Sequence, residues 1–279
     1  MGRMGKRIVN KNKMIKQILS EEFRRMQKLA GIITEDEEAN DEQKLKDILK
    51  ADYATFVTKL GANINDPKFI ETIKSIADEN PIKTSDIAAK VKELKPTQNE
   101  IDVDKSLKFP LTNVPSAAAY LKGGAVSVDG KNIVTGGGGK FIIDGHHRWS
   151  QVYCINPEAS ITAMDISNIT NPVDGLKSAQ LGIVGDTGKI DIATVTGDNL
   201  LKMGEDALIA YVKKTITPEV IDEFKKYNKG DNAEDIAAYI WKNVQQMQQN
   251  NQPVAPKAPR GIMPQTDDAP NWVSDAPAL

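Results

Sequence analysis

Lys140-Phe-Ile-Ile-Asp-Gly-His-His-Arg-Trp149 holds both histidines of the chain, side by side, between an apolar run and a helical pattern. Phe141, Ile142 and Ile143 have the β-favouring character of a short buried strand, and Asp144-Gly145 ends it with turn chemistry. From His146 to Ile155 the spacing of Trp149, Val152 and Tyr153 predicts a helix with one apolar face. A strand entering a helix through such a turn gathers unpaired N–H groups and the positive end of the helix dipole. Asp144, His146, His147 and Arg148 lie at the same place, so the stretch predicts an anion site, with phosphate the expected anion. Arg148 offers a permanently charged planar fork suited to phosphate oxygens. Adjacent helical residues point roughly 100° apart, so one histidine can face a ligand while its neighbour packs. A transition-metal site on the histidines and Asp144 stays open as an alternative.

Upstream, Val126 to Val134 reads as a hairpin turning at Asp129-Gly130. Gly136 to Gly139 then form a flexible turn, a candidate mobile flap over the histidine motif. The lysine after these glycines does not complete a P-loop, because Phe141 and a strand follow it. Gly182-Ile-Val-Gly-Asp-Thr-Gly-Lys189 fails the same test, with one residue too many and Ile190 in place of the Ser or Thr, and reads as a second flexible turn. Pro96 stops a preceding helix and leaves Gln98, Asn99 and Glu100 on an exposed strand-entry loop, as turn polarity or as part of the site. Val114-Pro115-Ser116 starts a helix through Tyr120 and Leu121, and Ser160 to Ile166 reads as a strand.

Residues 36–95 read as a helical region. Leu45, Ile48, Leu49, Phe56, Val57 and Leu60 make one stripe, Asp66-Pro67 caps a helix carrying Phe69, Ile70, Ile73 and Ile76, and Ser85 caps a third holding Ile87, Val91 and Leu94. Residues 171–249 form a helical C-terminal region, with helices over Gly197–Lys213, Pro218–Tyr227 and Ala233–Gln249, the last two starting at Thr217-Pro218 and Asp231. Residues 250–279 are rich in Pro and Gln and predict a disordered tail, with Trp272 an isolated exposed aromatic.

The order of these blocks resembles the ParB/sulfiredoxin superfamily, in the branch that carries D-G-H-H-R. The resemblance rests on Asp144-Gly-His-His-Arg148 behind a strand and a Gly-rich hairpin, and on Leu94-Lys-Pro-Thr-Gln-Asn-Glu-Ile101 with Lys105-Ser-Leu107, and it spans residues 82–170. It implies a ParB/sulfiredoxin-like domain over residues 96–170 with a small mixed sheet, in an α+β chain. His146 stands where sulfiredoxins carry cysteine, so sulfinic acid reduction is not expected. His146 and His147 also depart from the Glu-Arg-Arg type of motif of partition proteins, which leaves Arg148 to keep the phosphate role. The branch with archaeal free-serine kinases is nearest, and it implies that the turn binds nucleotide phosphates while Glu100 serves as base.

On that resemblance the expected function is binding of a nucleoside di- or triphosphate with Mg²⁺, and phosphoryl transfer or phosphate-ester hydrolysis. Gly145, His146, His147, Arg148 and Gln98 would contact nucleotide, and His146, His147, Glu100 and Asp144 would carry the chemistry. Asp144 would hold Mg²⁺ through its hard oxygens or orient a histidine. A DNA endonuclease using the same histidines is the alternative, and a non-enzymatic internal virion or capsid-associated protein is a third.

A length of 279 residues suggests about two domains. The net charge of −2 argues against a nucleic-acid coat, and the single Cys154 fits a reducing compartment without internal disulfides. No apolar run is long enough for a membrane span. Residues 1–35 are basic, with Ile15, Ile18, Leu19, Phe23, Met26 and Leu29 at helical spacing, and predict an amphipathic leader that docks on a partner, an acidic membrane or DNA, or packs on the domain. The segment Phe23 to Glu35, followed by acidic residues, resembles the procapsid-targeting leader of tailed-phage structural proteins, and Ile33-Thr34-Glu35 is similar to their prohead-protease site. That likeness implies cleavage after Glu35, a procapsid or scaffold partner, and a place in the host cytoplasm or inside the virion.

Overall fold

The structure, a computed structural model, describes residues 35–194 and 197–279. Of the expected basic leader, residues 1–35, all but Glu35 lie outside the described residues, and so do its procapsid contacts. Glu35 is the first residue of helix α1 (Glu35–Leu49), which is followed by α2 (Tyr53–Gly61) and α3 (Pro67–Glu79). Asp52 caps α2 and Asp66 caps α3, each accepting a first-turn N–H, with Pro67 at the start of α3 as its sequence predicts.

A mixed sheet follows, built from β1 (Thr84–Lys90), β2 (Ala125–Val126), β3 (Ile133–Gly136), β4 (Phe141–Asp144) and β5 (Ser160–Ile166). Its order is β1-β5-β3-β4, with β2 also pairing β5; β3 and β5 are parallel, and the β1–β5 and β3–β4 pairs are antiparallel. The helix expected over Ser85 to Leu94 is instead the edge strand β1, which ends at Lys90, followed by a turn. Its ladder runs from Thr84 opposite Ile166 to Lys90 opposite Ser160, and that cross-strand pairing outweighs the apolar spacing read as a helix.

Apolar residues of each strand divide between two cores by the two-residue period. Ile133, Ile142, Ile161 and Ala163 join one core with Trp149, Val152 and Phe224, whereas Val134, Phe141, Ile143 and Ile166 join another with Phe56, Phe69 and Leu176. The sheet is covered on both faces, which explains the unbroken Phe141-Ile-Ile143 run. One face carries α4 (Phe109–Thr112), α5 (Val114–Lys122), α6 (His146–Ile155), α8 (Glu205–Thr215), α9 (Pro218–Lys226) and α10 (Ala233–Asn250). The other carries α1 to α3 and α7 (Pro172–Thr187). Helix α8 begins at Glu205, later than expected, and α10 is capped by Asn232, whose side chain accepts from Glu234 and Asp235 N–H, in place of Asp231.

Three expected flexible or exposed segments are built in. Asp129 and Gly130 do form a turn with positive φ at both residues, but the glycines after it are no flap. The Gly138 and Gly139 amides donate to the buried Asp165 carboxylate at 3.2 and 2.9 Å, and this turn lies at the start of β4 while the histidine motif lies at its end. Gly182 and Gly185 lie within α7, and a Cβ at Gly182 would approach the Trp272 carbonyl to 2.4 Å. Glycine is required there for close approach of the C-terminal chain.

That chain is the largest departure from expectation. Residues after α10 run beside Pro96 to Asn99, with Val254 N–H donating to Pro96 O, Ala258 N–H to Thr97 O and Asn99 N–H to Ala258 O. They turn through Arg260–Ile262 and Thr266–Asp268, cross α7 and end against Asn80 and Ile82. Ala258, Met263, Ala269, Trp272 and Ala276 are buried in the core of the α1–α3 side. The Pro-rich composition read as disorder is instead an extended strap, whose backbone bonds to Asn80, Ile82 and Pro96 to Asn99 and whose small apolar residues fill gaps.

Candidate functional site

Gly145 joins β4 to α6 with φ 90° and ψ 24°, a left-handed conformation suited to glycine. A Cβ there would fall 2.6 Å from Ile133 Cγ2. The first intrahelical bond of α6 is Trp149 N–H to Gly145 O, so the amides of His146, His147 and Arg148 precede any helical acceptor. The turn opens into a cavity of about 340 Å³. Gly145, His146, His147 and Arg148 line it, and Gln98 and Asp144 do so as well.

The histidines share one arrangement. His146 is buried, and its Nε2 accepts from Thr97 N–H at 3.2 Å and Gln98 N–H at 3.3 Å. His147 Nε2 accepts from Asp102 N–H at 3.1 Å. A neutral imidazole has one donor and one acceptor, so both rings carry their proton on Nδ1. Burial drives both basicities down, with the His147 and Arg260 charges adding to the effect at His146. At His147, burial and the Arg260 and Lys105 charges bring the value down to about 3. Both rings are neutral hydrogen-bond donors near pH 7, and their acceptor nitrogens organise residues 97–102.

Arg148 donates from Nη1 to Asp267 Oδ2 at 2.7 Å, and Lys131 meets the same oxygen at 3.0 Å. Burial opposes ionisation of Asp267, but these two cations outweigh it and hold its carboxyl below the usual value. Arg260, 8% exposed, lines the cavity from the strap with its backbone N–H on Glu100 Oε2 at 2.9 Å. The side-chain atoms Arg148 Nε and Arg260 Nη1 are buried without an acceptor. Burial, against the favourable charges of Asp102, Asp144 and Glu100, lowers the Arg260 value. Lys105 and Gln151 complete the floor, and Tyr120 OH donates to Gln151 Oε1 at 3.1 Å.

Several expected placements change. Gln98 is buried rather than on an exposed loop, and its side-chain amide donates to the Glu100 carbonyl. Glu100 does not line the cavity; its carboxylate anchors the Arg260 backbone from behind, so the residue expected as base has a structural task in this conformation. Asp144, expected to hold Mg²⁺, uses Oδ1 for Gly145 N–H at 2.6 Å and Oδ2 for Thr266 N–H at 3.0 Å and Thr266 Oγ1–H at 2.6 Å. Among the described residues no group of three His, Cys, Asp or Glu converges as a metal site. Nor is any helix among them long and apolar enough to cross a membrane.

Sequence reasoning missed Arg260, Gln265 and Asp267, which no local pattern in the Pro-rich segment marks. Gln151 was within reach, since it lies four residues after His147 on the same helical face. Comparison with protein-family models, curated proteins and solved structures gave no match.

Proposed function

We propose that this cavity binds the phosphates of a nucleotide, and that the chain is a ParB/sulfiredoxin-like protein whose chemistry is phosphoryl transfer or phosphate-ester hydrolysis. The observation that carries this reading is the convergence of Arg148, Arg260 and Lys105 on one cavity lined by a helix N-terminus, where Arg148 Nε and Arg260 Nη1 are also buried without acceptors. A buried N–H donor without an acceptor costs about 1–3 kcal/mol, and a bound anion removes that cost. Phosphate suits the set because its oxygens fan out to several donors at once. The two arginines and Lys105 supply positive charge, the amides of the α6 first turn supply dipoles, and the histidine Nδ1–H groups supply neutral donors. Mg²⁺ would arrive as counter-ion of the nucleotide.

Binding without turnover is the second reading. It is favoured by the commitment of both histidine Nε2 atoms and of the Glu100 carboxylate to backbone N–H groups. A ³¹P NMR series with ATP, ADP and CTP in Mg²⁺, run beside Arg148→Ala, separates the two. New phosphate signals that vanish in the variant support turnover, and shifted or broadened but unconverted signals support binding alone. Spectra unchanged by the wild-type protein overturn both.

A further inference from the structure

We infer that residues 260–268 of the strap form a ligand-responsive wall, in which Arg260 is a phosphate contact and Asp267 occupies the anion position on Arg148 until a phosphate replaces it. The inference rests on the reading of the cavity as a phosphate site and adds how that site is filled and emptied.

Asp267 already does what a phosphate oxygen would do, since one carboxylate oxygen is shared by Arg148 and Lys131. The match is incomplete. It reaches Nη1 of Arg148 only, and it leaves Arg148 Nε and Arg260 Nη1 unsatisfied. A carboxylate has two oxygens in one plane, whereas a terminal phosphate presents three in a tetrahedral fan and can serve both arginines. Asp267 is also the more open partner, with its side chain 36% exposed against 13% for Arg148.

The strap is fastened unevenly. Core contacts hold it on either side of residues 264–268, through Ala258 and Met263 before them and Ala269, Trp272 and Ala276 after them. Between Pro264 and Asp268 the bonds to the rest of the protein are polar: Thr266 to Asp144, and Asp267 to Arg148 and Lys131. Asp144 and Arg148 are the two ends of the Asp-Gly-His-His-Arg turn, so the wall is latched to the residues that would receive the ligand. A latch made of two ion pairs on one carboxylate oxygen and a pair of hydrogen bonds is weak enough for a polyanion to open, while the apolar anchors keep the strap attached and Arg260 in place.

The experiment titrates inorganic pyrophosphate into the full chain by calorimetry, for wild type, Asp267→Asn and Arg260→Gln, with Arg148→Ala as reference. Removing the internal anion is expected to tighten pyrophosphate about tenfold, and removing the Arg260 charge to weaken it by a similar factor. In wild type, hydrogen exchange at residues 265–268 is expected to quicken on saturation, because Asp267 leaves Arg148. This readout holds even if a variant folds poorly. Equal or weaker binding by Asp267→Asn, or exchange that stays the same or slows, overturns the inference. If Arg148→Ala still loses binding in that case, the phosphate site itself stands. Absence of pyrophosphate, ATP and CTP binding in wild type and Asp267→Asn alike removes both.

Discussion

His147 sits between the helix N-terminus and the Asp102 amide, and its proton balance links the site to folding. Burial and the Arg260 and Lys105 charges bring its value down to about 3, and His146 is shifted in the same direction. The unfolded chain takes up a proton at each ring near pH 6.5, while the folded chain refuses it until far lower pH. Stability is therefore fully present above that value and falls as the pH drops below it, by about 1.4 kcal/mol per unit for each histidine. His147→Gln keeps an acceptor for the Asp102 amide but does not titrate. Denaturant unfolding at about pH 7.5, 6 and 5 should show roughly half the wild-type slope in this variant. Equal slopes would show that His147 is not buried as a neutral base. At this scale the motif was well marked in the sequence, because Asp144 to Arg148 are adjacent and a strand, a turn and a helix fix their relation. The roles within it were not, since the partners of both Nε2 atoms and of Asp144 Oδ2 come from Thr97 to Asp102 and from Thr266.

Helix α7 shows how an element is set by its neighbours. Its glycines read locally as breakers, and alanine would favour a helix by about 1 kcal/mol at each. Gly182 has its backbone against the Trp272 carbonyl, and Gly185 lies against Asp275, so the helix exists with a groove where the strap crosses. A Cβ at 2.4 Å from a backbone oxygen cannot be relieved by a rotamer change. Gly182→Ala is expected to be destabilising despite the better propensity, and to free the strap so that trypsin cuts faster at Lys257 and Arg260. Gly204→Ala, with nothing within 4 Å of the added carbon, is expected to leave the cutting rate unchanged. An unaltered digestion pattern in Gly182→Ala would refute the packing argument. Strand β1 teaches the same lesson from the other side. Ile87, Val91 and Leu94 suit a helical stripe, yet Thr84 to Lys90 pair with β5 and the chain turns away at Val91. A short apolar pattern does not separate the two periods without knowledge of the partner strand.

Across the whole molecule, the strap ties the two cores to the site. It leaves α10 where Asn251 donates to Lys92 O and Leu94 O and accepts from Tyr153 OH, supplies Arg260 and Asp267 to the cavity, and ends beside α3. Trp272, 4% exposed, is its largest anchor. Trp272→Ala is expected to cost about 3–5 kcal/mol, to lower the melting temperature, and to weaken pyrophosphate binding because Arg260 loses its support. A melting temperature equal to wild type would mean that the strap adds nothing to the fold.

The sequence by itself determined the β4–turn–α6 unit, the helix starts at Asp66-Pro67, Val114-Pro115 and Thr217-Pro218, and the clustering of Asp144 to Arg148 at one strand-to-helix turn. Each of these depends on residues close in the chain, where spacing, caps and glycine conformations are decided by local sterics and dipoles. Only the tertiary structure decided that Thr84 to Lys90 is a strand, that α7 keeps glycines for a crossing chain, and that Arg260 and Asp267 belong to the site. Those outcomes depend on backbone hydrogen bonds and close contacts between segments far apart in sequence. In the strap, composition signals low burial per residue, but three alanines, Met263 and Trp272, with a ladder of backbone bonds on Pro96 to Asn99, are enough to hold it.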